Sequence, residues 1–491
     1  MEIVAQRGPD ARYLVGGDLL ALTAATHHDS ALYAPVGDSP RDVQTDGRIV
    51  HRLRCVRPPI VDVVAKPLQR RLHVLFQKKA RVIRADGDSH GRRLYYTVRS
   101  MLMTREVVIS ARGEERLRSG HPWIYRGDVI RVRADAGDVV VVRGTRGRAV
   151  GVAFYSSRSE IAIRMLMRGG IDGEPDISEI VRERLATAIA FRRSLDIDAT
   201  AYRLVHAEAD LLPSLIVDRY GEYLVVQTLS QGVERLSPMI VDALQELLRP
   251  RGILARNDPR ARLLEGLDRR VELVAGEVPD TVAVRELGID YAVDLRRGQK
   301  TGLFLDQREN RAAAALYAGG RLLDCFSYDG GFALTLARRC RETIAYDISD
   351  DAIARVRANA ERNGLTVEAR VGNVFDELRG LERRGERFDT IVLDPPAFAK
   401  TKAAVAKARA GYKEINLRSL KLLNRGGVLI TCSCSYHVSE AMFAEVVYEA
   451  AMDAQTSVTV VEKRMQGRDH PVLLGVPETY YLKCLILRKL A

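Results

Sequence analysis

The chain has 491 residues, which at roughly 150 residues per domain suggests about three domains that can each bury a core. Its 46% hydrophobic and 29% charged content is ordinary for a globular protein, and no run approaches a membrane span or a signal peptide. A net charge of +12 favours a polyanionic partner, although more than half of the excess falls in the first 100 residues. Six scattered cysteines do not indicate a disulfide framework, so we expect a reducing, cytoplasmic location.

Residues 1 to 102 show no sustained hydrophobic period, since short apolar pieces stand among Arg, Asp, Gly and Pro. A packed core is therefore not expected there. Three interpretations are open: a basic RNA-contacting extension, a poorly ordered leader, or a translation start at Met101 or Met103. The intact mass of the native protein would separate the third interpretation from the first two.

Residues 103 to 175 alternate β-branched runs with Gly and Asp, which predicts a small β-barrel. The predicted strands are 106 to 112, 120 to 132, 138 to 144, 149 to 156 and 161 to 166. Arginines on these strands suit phosphate binding, but an ordinary solvated face has the same composition.

Residues 176 to 288 mix helices and strands and predict a compact α+β domain without a catalytic cluster. Helices are expected at 177 to 197 and 236 to 249, the second with Ser237-Pro238 near its start. Strands are expected within 215 to 229. Residues 289 to 310 then predict a hairpin with a basic turn at Arg296 to Lys300, followed by a helix at 308 to 318.

Residues 289 to 491 contain alternating strands and helices, which predict a doubly wound, mainly parallel sheet. The strands are expected at 321 to 325, 343 to 347, 367 to 372, 388 to 393 and 427 to 433, and the helices at 331 to 340, 350 to 363, 405 to 423 and 438 to 453. Two final runs, 457 to 463 and 480 to 489, lack a helix between them and predict an antiparallel pair at one edge.

The first two strand ends indicate a nucleoside cofactor. After Asp324, the residues Ser327, Gly330 and Gly331 let the backbone turn closely beneath a ligand before a helix begins. Asp347 ends the next strand, where a carboxylate can accept both ribose hydroxyls. These residues do not separate an adenine dinucleotide from S-adenosylmethionine, and plain turn chemistry is the structural alternative.

The fourth strand ends in the sequence DPPAF, residues 394 to 398. Its prolines cannot donate hydrogen bonds and stiffen the loop, so the Asp394 carboxylate is aimed into the crevice beside a planar base. Phe398 either stacks on that base or belongs to the core. This corner has no evident use in a dehydrogenase and favours a methyltransferase.

The fifth strand ends in Cys432-Ser433-Cys434, which places both thiols on one face with Cys434 nearer the crevice. Methylation of cytosine C5 needs a thiolate that adds to C6, and a thiol with an ordinary pKa of about 8.5 already supplies a few per cent of thiolate at neutral pH. Cys434 is the candidate, against the alternative of two small buried cysteines. A metal site is not expected, because His437 and the two thiols lack a fourth ligand.

From Thr104 onward the chain resembles the bacterial 23S ribosomal RNA cytosine-5 methyltransferases, a class I S-adenosylmethionine-dependent family with an amino-terminal PUA domain. The resemblance rests on HPWIYRG, RRGQKTGLFLDQREN, CFSYDGGFA, DPPAFAK, CSCS and DHPV, which occur in the family's order. It implies an α/β fold with a seven-stranded mostly parallel sheet, preceded by a PUA-like RNA-binding barrel and an α+β intermediate domain. It also implies catalysis by Cys434 and Asp394, and cofactor binding by Asp324, Phe326, Ser327, Tyr328, Gly330, Gly331, Asp347, Asn373 and Asp394.

Two departures from the family pattern are visible. Asn373 stands where an acidic residue commonly lies near the adenine, so it would bind through its amide, and residues 205 to 213 match the family's Gly-rich turn only loosely. The substrate contacts are expected from Phe398, Lys300 and Arg308. The expected partner is large-subunit ribosomal RNA, with no membrane and no metal, and a homodimer is left open.

Three other functions remain open at this point. A methyltransferase of similar build could act on a guanine nitrogen, for which no thiolate is needed. An RNA-binding assembly factor would lack catalysis, and a nicotinamide oxidoreductase would bind NAD. The base that removes the C5 proton is not identified by the sequence.

Overall fold

The structure is a computed structural model that describes residues 105 to 170 and 175 to 490. The leader proposed for residues 1 to 102, with its alternative start codons, lies outside the described residues. Three sheets and one separate hairpin organise the described part of the chain.

The first sheet contains six strands in the order β2-β6-β5-β4-β1-β3. Its strands are β1 (Glu106–Ile109), β2 (Trp123–Tyr125), β3 (Val129–Arg133), β4 (Val139–Arg143), β5 (Ala149–Tyr155) and β6 (Ile161–Arg168). The first strand is shorter than the predicted 106 to 112. Ser110 accepts a hydrogen bond from the Gly113 amide at 3.1 Å and so starts helix α1 (Ala111–Arg118) instead of extending the strand.

The second sheet contains five strands in the order β11-β10-β9-β8-β7. Its elements are α2 (Ile177–Arg193), β7 (Ala201–His206), β8 (Leu215–Tyr220), β9 (Tyr223–Thr228), α3 (Gln231–Leu248), β10 (Gly252–Asn257), α4 (Ala261–Leu264) and β11 (Arg270–Gly276). Helix α3 begins before the predicted residue 236 and holds Pro238 in its interior. Its first turn packs so tightly that a side chain on Gly232 would meet the ring of Phe154, and this tertiary contact outweighs the Ser-Pro start signal.

A hairpin joins this sheet to the last one, but in a different place from the predicted one. Strand β13 (Ile289–Val293) pairs antiparallel with the preceding strand β12 (Val282–Glu286), so the prediction of a hairpin over 289 to 310 was wrong. Leu287 and Gly288 both have positive φ, which is the backbone of a tight two-residue hairpin loop. The basic turn at 296 to 300 is followed by a short 3-10 turn, Leu305–Gln307, and then by α5 (Arg308–Tyr317).

The third sheet confirms the doubly wound prediction. Its seven strands lie in the order β16-β15-β14-β17-β18-β20-β19, and only the last two pairings are antiparallel. Its elements are β14 (Arg321–Cys325), α6 (Gly331–Ala337), β15 (Glu342–Asp347), α7 (Asp350–Arg362), β16 (Glu368–Val371), α8 (Val374–Arg383), β17 (Phe388–Leu393), α9 (Val405–Leu422), β18 (Leu423–Ser433), α10 (Glu440–Asp453), β19 (Val458–Met465) and β20 (Lys483–Lys489).

Helix α8 was not predicted, although the sequence contains its signals. Val374, Leu378 and Leu381 recur at helical spacing and are all buried, and Asn373 caps the first turn by accepting from the Phe375 amide at 3.0 Å. The central strands are buried on both faces and supply the core of the sheet. Among the described residues, no helix is both long and apolar enough to cross a membrane.

Candidate active site

The carboxyl ends of β14, β15, β17 and β18 meet at one edge of the seven-stranded sheet, because these strands run parallel in neighbouring positions. The strand order reverses between β14 and β17, and ligands of open α/β sheets bind in the crevice at such a point. This edge brings together Asp324 to Gly331, Asp347, Asp394 and Cys434.

The turn after β14 is tight and partly left-handed. Phe326, Tyr328 and Gly330 have φ values of +66°, +49° and +85°, and Gly330 is the residue that precedes α6. The Tyr328 amide donates to the Asp347 carboxylate at 3.0 Å, which ties the turn to the end of β15. A non-glycine residue in this region is held by its surroundings, so the turn has one defined shape.

Two polar atoms on the floor of this turn are buried without a hydrogen-bond partner. Asp324 accepts from the Ala333 amide at 2.8 Å through one carboxylate oxygen, while its other oxygen and the Ser327 hydroxyl have none among the described residues. Burial raises the pKa of Asp324 well above its ordinary value, and the carboxylates of Asp394 and Asp347 add to this effect. A cofactor with polar groups fits here, because it would supply the missing partners.

Asp347 and Asn373 lie at the ends of neighbouring strands, joined by a hydrogen bond from the Gly372 amide to the Asp347 carbonyl at 2.9 Å. Each Asp347 carboxylate oxygen accepts one backbone amide, from Tyr328 and from Ser349, and keeps lone pairs for hydroxyl donors. The Asn373 side-chain oxygen is used in capping α8, so its NH₂ group is the part left for a ligand. In doubly wound folds, a carboxylate at the end of the second strand accepts ribose hydroxyls, and Asp347 has that position.

Asp394 begins the loop that follows β17. Its carboxylate accepts from the Gln307 amide at 2.8 Å, and its pKa is raised to about 6 by burial and by the Asp306 carboxylate, against the opposing Lys300 ammonium. Phe398 is half-buried, and its ring lies 4.7 Å from that of Tyr412, centroid to centroid. The ring therefore packs against the aromatic core without being fully covered by it.

The two cysteines of the CSCS segment have different surroundings. Cys432 is fully buried and pairs across the sheet with Cys484 in an apolar cluster. Cys434 is half-buried beyond the strand end, and its sulfur lies 3.8 Å from the Pro395 carbonyl oxygen. Burial raises the pKa of the Cys434 thiol to about 12, and the Asp394 carboxylate adds to this, so the expectation of an ordinary thiol pKa is corrected.

The two predicted substrate cations differ in position. Lys300 lies near the crevice, where its ammonium contacts the Asp306 carboxylate at 2.7 Å and lies over the Phe304 ring. Arg308 is buried, and its guanidinium pairs with Asp469 at 3.0 Å. Arg308 therefore holds α5 against the loop before β20 and does not face an RNA surface.

Four residues at this edge were not found from the sequence. Gln307 and Asp306 come from the turn before α5, and Tyr412 comes from α9, where its hydroxyl lies 3.0 Å from that of Ser433 and 2.9 Å from that of Ser435. Lys483 comes from the first position of β20. Their contacts span many residues of the chain, so no local spacing marks them.

No group of His, Cys, Asp and Glu side chains among the described residues is arranged to hold a metal ion. Two family models match the chain. An S-adenosylmethionine-dependent methyltransferase model matches residues 260–488, and a PUA-like domain model matches residues 107–168. The predicted fold and the PUA-like barrel are confirmed by these matches.

Relatives of high similarity share one name. A Tolumonas auensis protein named ribosomal RNA large subunit methyltransferase I is 41% identical over 397 residues, which cover 79% of this chain and 100% of that protein. An Erwinia tasmaniensis protein of the same name is 38% identical over 78% of this chain and 98% of its own length. A solved SAM-dependent methyltransferase from Streptococcus mutans shares the fold, with a TM-score of 0.66 and 21% identity over 78% of this chain and 99% of that one.

Proposed function

This chain belongs to the ribosomal RNA large subunit methyltransferase I family and is an S-adenosylmethionine-dependent methyltransferase, and we propose that it methylates C5 of a cytidine in 23S ribosomal RNA. The observation that carries the cytosine-C5 chemistry is the placement of one thiol. Cys434 stands beside the Asp394 loop at the cofactor edge, whereas Cys432 is packed in the core.

S-adenosylmethionine supplies an electrophilic methyl group when it is bound. We assign its adenosine to Asp347 and the Asn373 amide, and its polar tail to the turn that contains Ser327 and Gly330. The orphaned Ser327 hydroxyl and Asp324 oxygen support this assignment, because a bound cofactor would satisfy them. Asp324 also fixes the start of α6, through the Ala333 amide.

Cys434 and Asp394 act on the base. Cytosine C5 is a poor nucleophile, so the Cys434 thiolate would add to C6 and the electron pair would move toward C5, which could then take the methyl group as the bond from the methyl carbon to the donor sulfonium breaks. Loss of the C5 proton to a base would then break the bond between C6 and sulfur, which restores the ring and frees the Cys434 thiolate. Asp394 holds the polar edge of the ring. With a pKa of about 6, its carboxyl group carries a proton for part of the time near neutral pH and can balance charge that develops on the ring.

The target base must leave its stack to reach this crevice, which costs a few kcal/mol and less in a loop or partly assembled RNA. The PUA-like sheet and the neighbouring arginines would supply phosphate contacts, so RNA affinity should fall as salt is raised. A ribosomal RNA substrate also favours the cytoplasm as the site of action. A homodimer is not required by any step.

Replacement of Cys434 tests the chemistry. We expect Cys434→Ser to lower the single-turnover rate of RNA methylation by about 10³-fold or more, since a nucleophile is lost. Cys432→Ala is the matched control, because it removes the neighbouring thiol from the core and should keep most of the activity. Bisulfite-type mapping of ribosomal RNA, with and without the protein, would identify the modified base.

A covalent trap adds a second readout. RNA with 5-fluorocytidine at the target cannot lose a proton from C5, so the sulfur adduct should accumulate, and peptide mass spectrometry should find it on Cys434. Retained methylation by Cys434→Ser would discard the cytosine-C5 mechanism and favour the guanine-nitrogen alternative. Failure to bind S-adenosylmethionine in calorimetry would favour a non-catalytic assembly factor, and binding of NAD would favour an oxidoreductase.

A further inference from the structure

Lys483 is an unusual buried cation within the described part of the chain. Seven arginines are also buried there, and each of them has a carboxylate oxygen within ion-pair distance, as in Arg203 with Asp218 and Arg308 with Asp469. Lys483 is only 2% exposed and forms no such pair with any described residue. A buried charge without a counterion is expensive, so this arrangement calls for an anion or for a neutral amine.

Lys483 is held next to the two residues that flank Cys434. In the sheet, Lys483 lies opposite Ser433, which immediately precedes Cys434. Its ammonium nitrogen donates to the carbonyl of Ser435, which immediately follows Cys434, at 2.7 Å, and to the Tyr481 carbonyl at 2.9 Å. These two bonds account for two of the three ammonium donors.

Charged groups of both signs surround Cys434 and Lys483. Cys434 is surrounded by Asp394, Asp306, Lys300 and Tyr412 in addition to Lys483, and the two carboxylates disfavour its thiolate. Burial lowers the pKa of Lys483 to about 8, against the opposing effects of Cys434 and Glu440. The Ser435 carbonyl that accepts from the lysine follows Cys434 directly in the chain, so the two groups are neighbours in the fold, and each favours the charged form of the other.

We propose that Lys483 is the positioning residue that stabilises the Cys434 thiolate, with the sulfur as the anion that this buried ammonium lacks. The inference rests on the proposed function, since it gives the nucleophile its charged state. One proton balances the step: it leaves the Cys434 sulfur for solvent when the lysine is charged, or passes to the lysine nitrogen when that amine is neutral. Either route ends with an ammonium beside a thiolate that is ready to add to C6.

The pH dependence of Cys434 alkylation tests this directly, without RNA. Iodoacetamide reacts with the thiolate, and mass spectrometry of the Cys434 peptide measures the rate between pH 7 and pH 10. We expect Lys483→Gln to slow alkylation severalfold near pH 7, where the lysine carries its charge, and to move the profile to higher pH, since a neighbouring opposite charge favours the thiolate. Lys483→Arg keeps a permanent charge and should react at least as fast as the wild type.

The two variants also separate an electrostatic role from a merely structural one. Lys483→Gln can still donate to a carbonyl, so its thermal unfolding and its S-adenosylmethionine affinity should stay close to those of the wild type, while single-turnover methylation falls and RNA affinity is kept. An unchanged alkylation profile in folded Lys483→Gln would overturn the proposal. If that variant does not fold, Lys483→Arg decides, because alkylation at least tenfold slower than wild type would show that the positive charge is not what matters.

Failure of this inference differs from failure of the proposed function. Loss of methylation in Cys434→Ser together with an unchanged alkylation profile in Lys483→Gln would support Cys434 as the nucleophile and rule out only the role proposed for Lys483. Retained methylation in Cys434→Ser would rule out Cys434 as the nucleophile, whatever the result for Lys483.

Discussion

The two halves of the crevice are built in different ways. The half that we assign to the cofactor, at the ends of β14 and β15, is made from neighbouring residues. The Asp324 carboxylate accepts the Ala333 amide, and the Asp347 carboxylate accepts the Tyr328 amide, within a single βαβ unit. The reaction half, at the ends of β17 and β18, depends on distant residues. Gln307 reaches Asp394 across 87 residues of chain, and Lys483 reaches Ser435 across 48.

The two halves therefore differ in what they mainly require: a backbone shape in the cofactor half, and side chains with shifted pKa values in the reaction half. The cofactor half needs a backbone turn and the carboxylates of Asp324 and Asp347, which a short motif can encode, although burial raises the pKa of Asp324 there as well. The reaction half needs groups with shifted titration, and those shifts arise from burial and from charges on other elements. A variant in the first half should therefore change cofactor affinity, whereas a variant in the second should change pH dependence and rate.

The largest effect of this kind is expected for Asp347→Ala. The variant loses the acceptor for the ribose hydroxyls and also the anchor of the Tyr328 amide, so S-adenosylmethionine affinity should fall about 10- to 100-fold, as for loss of one or two hydrogen bonds to a charged group. Isothermal titration calorimetry measures this. Asp351→Ala, on the exposed face of α7, is the control and should bind normally. Equal affinities in the two variants would remove Asp347 from the cofactor site.

The same difference explains what could be predicted from sequence. The apolar runs of β14, β15, β17 and β18 and the residues at their ends were predicted closely, because buried parallel strands have a clear pattern. The start of α3 was predicted too late, because the contact that decides it, Gly232 against Phe154, is not local. The β12 and β13 hairpin was misplaced although its pairing is local, because its turn at Leu287-Gly288 was not recognised.

The pKa values of the side chains in the reaction half could not be predicted from the local sequence pattern. An ordinary pKa was assumed for Cys434, but burial and the Asp394 carboxylate raise it to about 12. Arg308 was expected to contact RNA, yet it is buried and pairs with Asp469, which lies 161 residues away. Residue type and spacing predict which groups reach a strand end, but only packing determines how they titrate.

Asp394→Asn should have the next largest effect, and its sign depends on pH. The pKa of Asp394 is raised from 3.8 to about 6, so the folded protein is most stable with this carboxyl protonated and loses stability as the pH rises from 3.8 to about 6. An asparagine at this position does not ionise and avoids that loss. We expect the variant to be about 3 kcal/mol more stable than the wild type at pH 8 and within about 1 kcal/mol of it at pH 4, with methylation strongly reduced. Thermal unfolding at the two pH values measures the difference.

Asp389, near the other end of β17, is the control for this prediction. Its carboxylate accepts the Arg321 amide and the Asn424 side chain, both at 2.8 Å, and these bonds lower its pKa. Asp389→Asn should therefore lose stability at pH 8, the opposite sign on the same strand. If both variants changed stability in the same direction, the opposite pKa shifts assigned to Asp394 and Asp389 would be wrong.

The smallest effect is expected for Tyr412→Phe, which changes neither charge nor the cofactor turn. The hydroxyl lies between those of Ser433 and Ser435, the two neighbours of Cys434, and is buried. Its loss leaves two buried hydroxyls short of a partner, at about 1 kcal/mol, so the melting temperature should fall by a few degrees. Methylation should slow severalfold because the Cys434 segment is held less firmly, while cofactor affinity stays unchanged.

Tyr448→Phe is the matched control, because this tyrosine is 63% exposed on α10 and its hydroxyl should be dispensable. Differential scanning fluorimetry and single-turnover methylation compare the two variants. If Tyr412→Phe melted and reacted as Tyr448→Phe does, the hydroxyl cluster would have no part in positioning Cys434. The Cys434 segment would then be held by its own backbone and by the bond from Lys483 to the Ser435 carbonyl, without help from the Tyr412 hydroxyl.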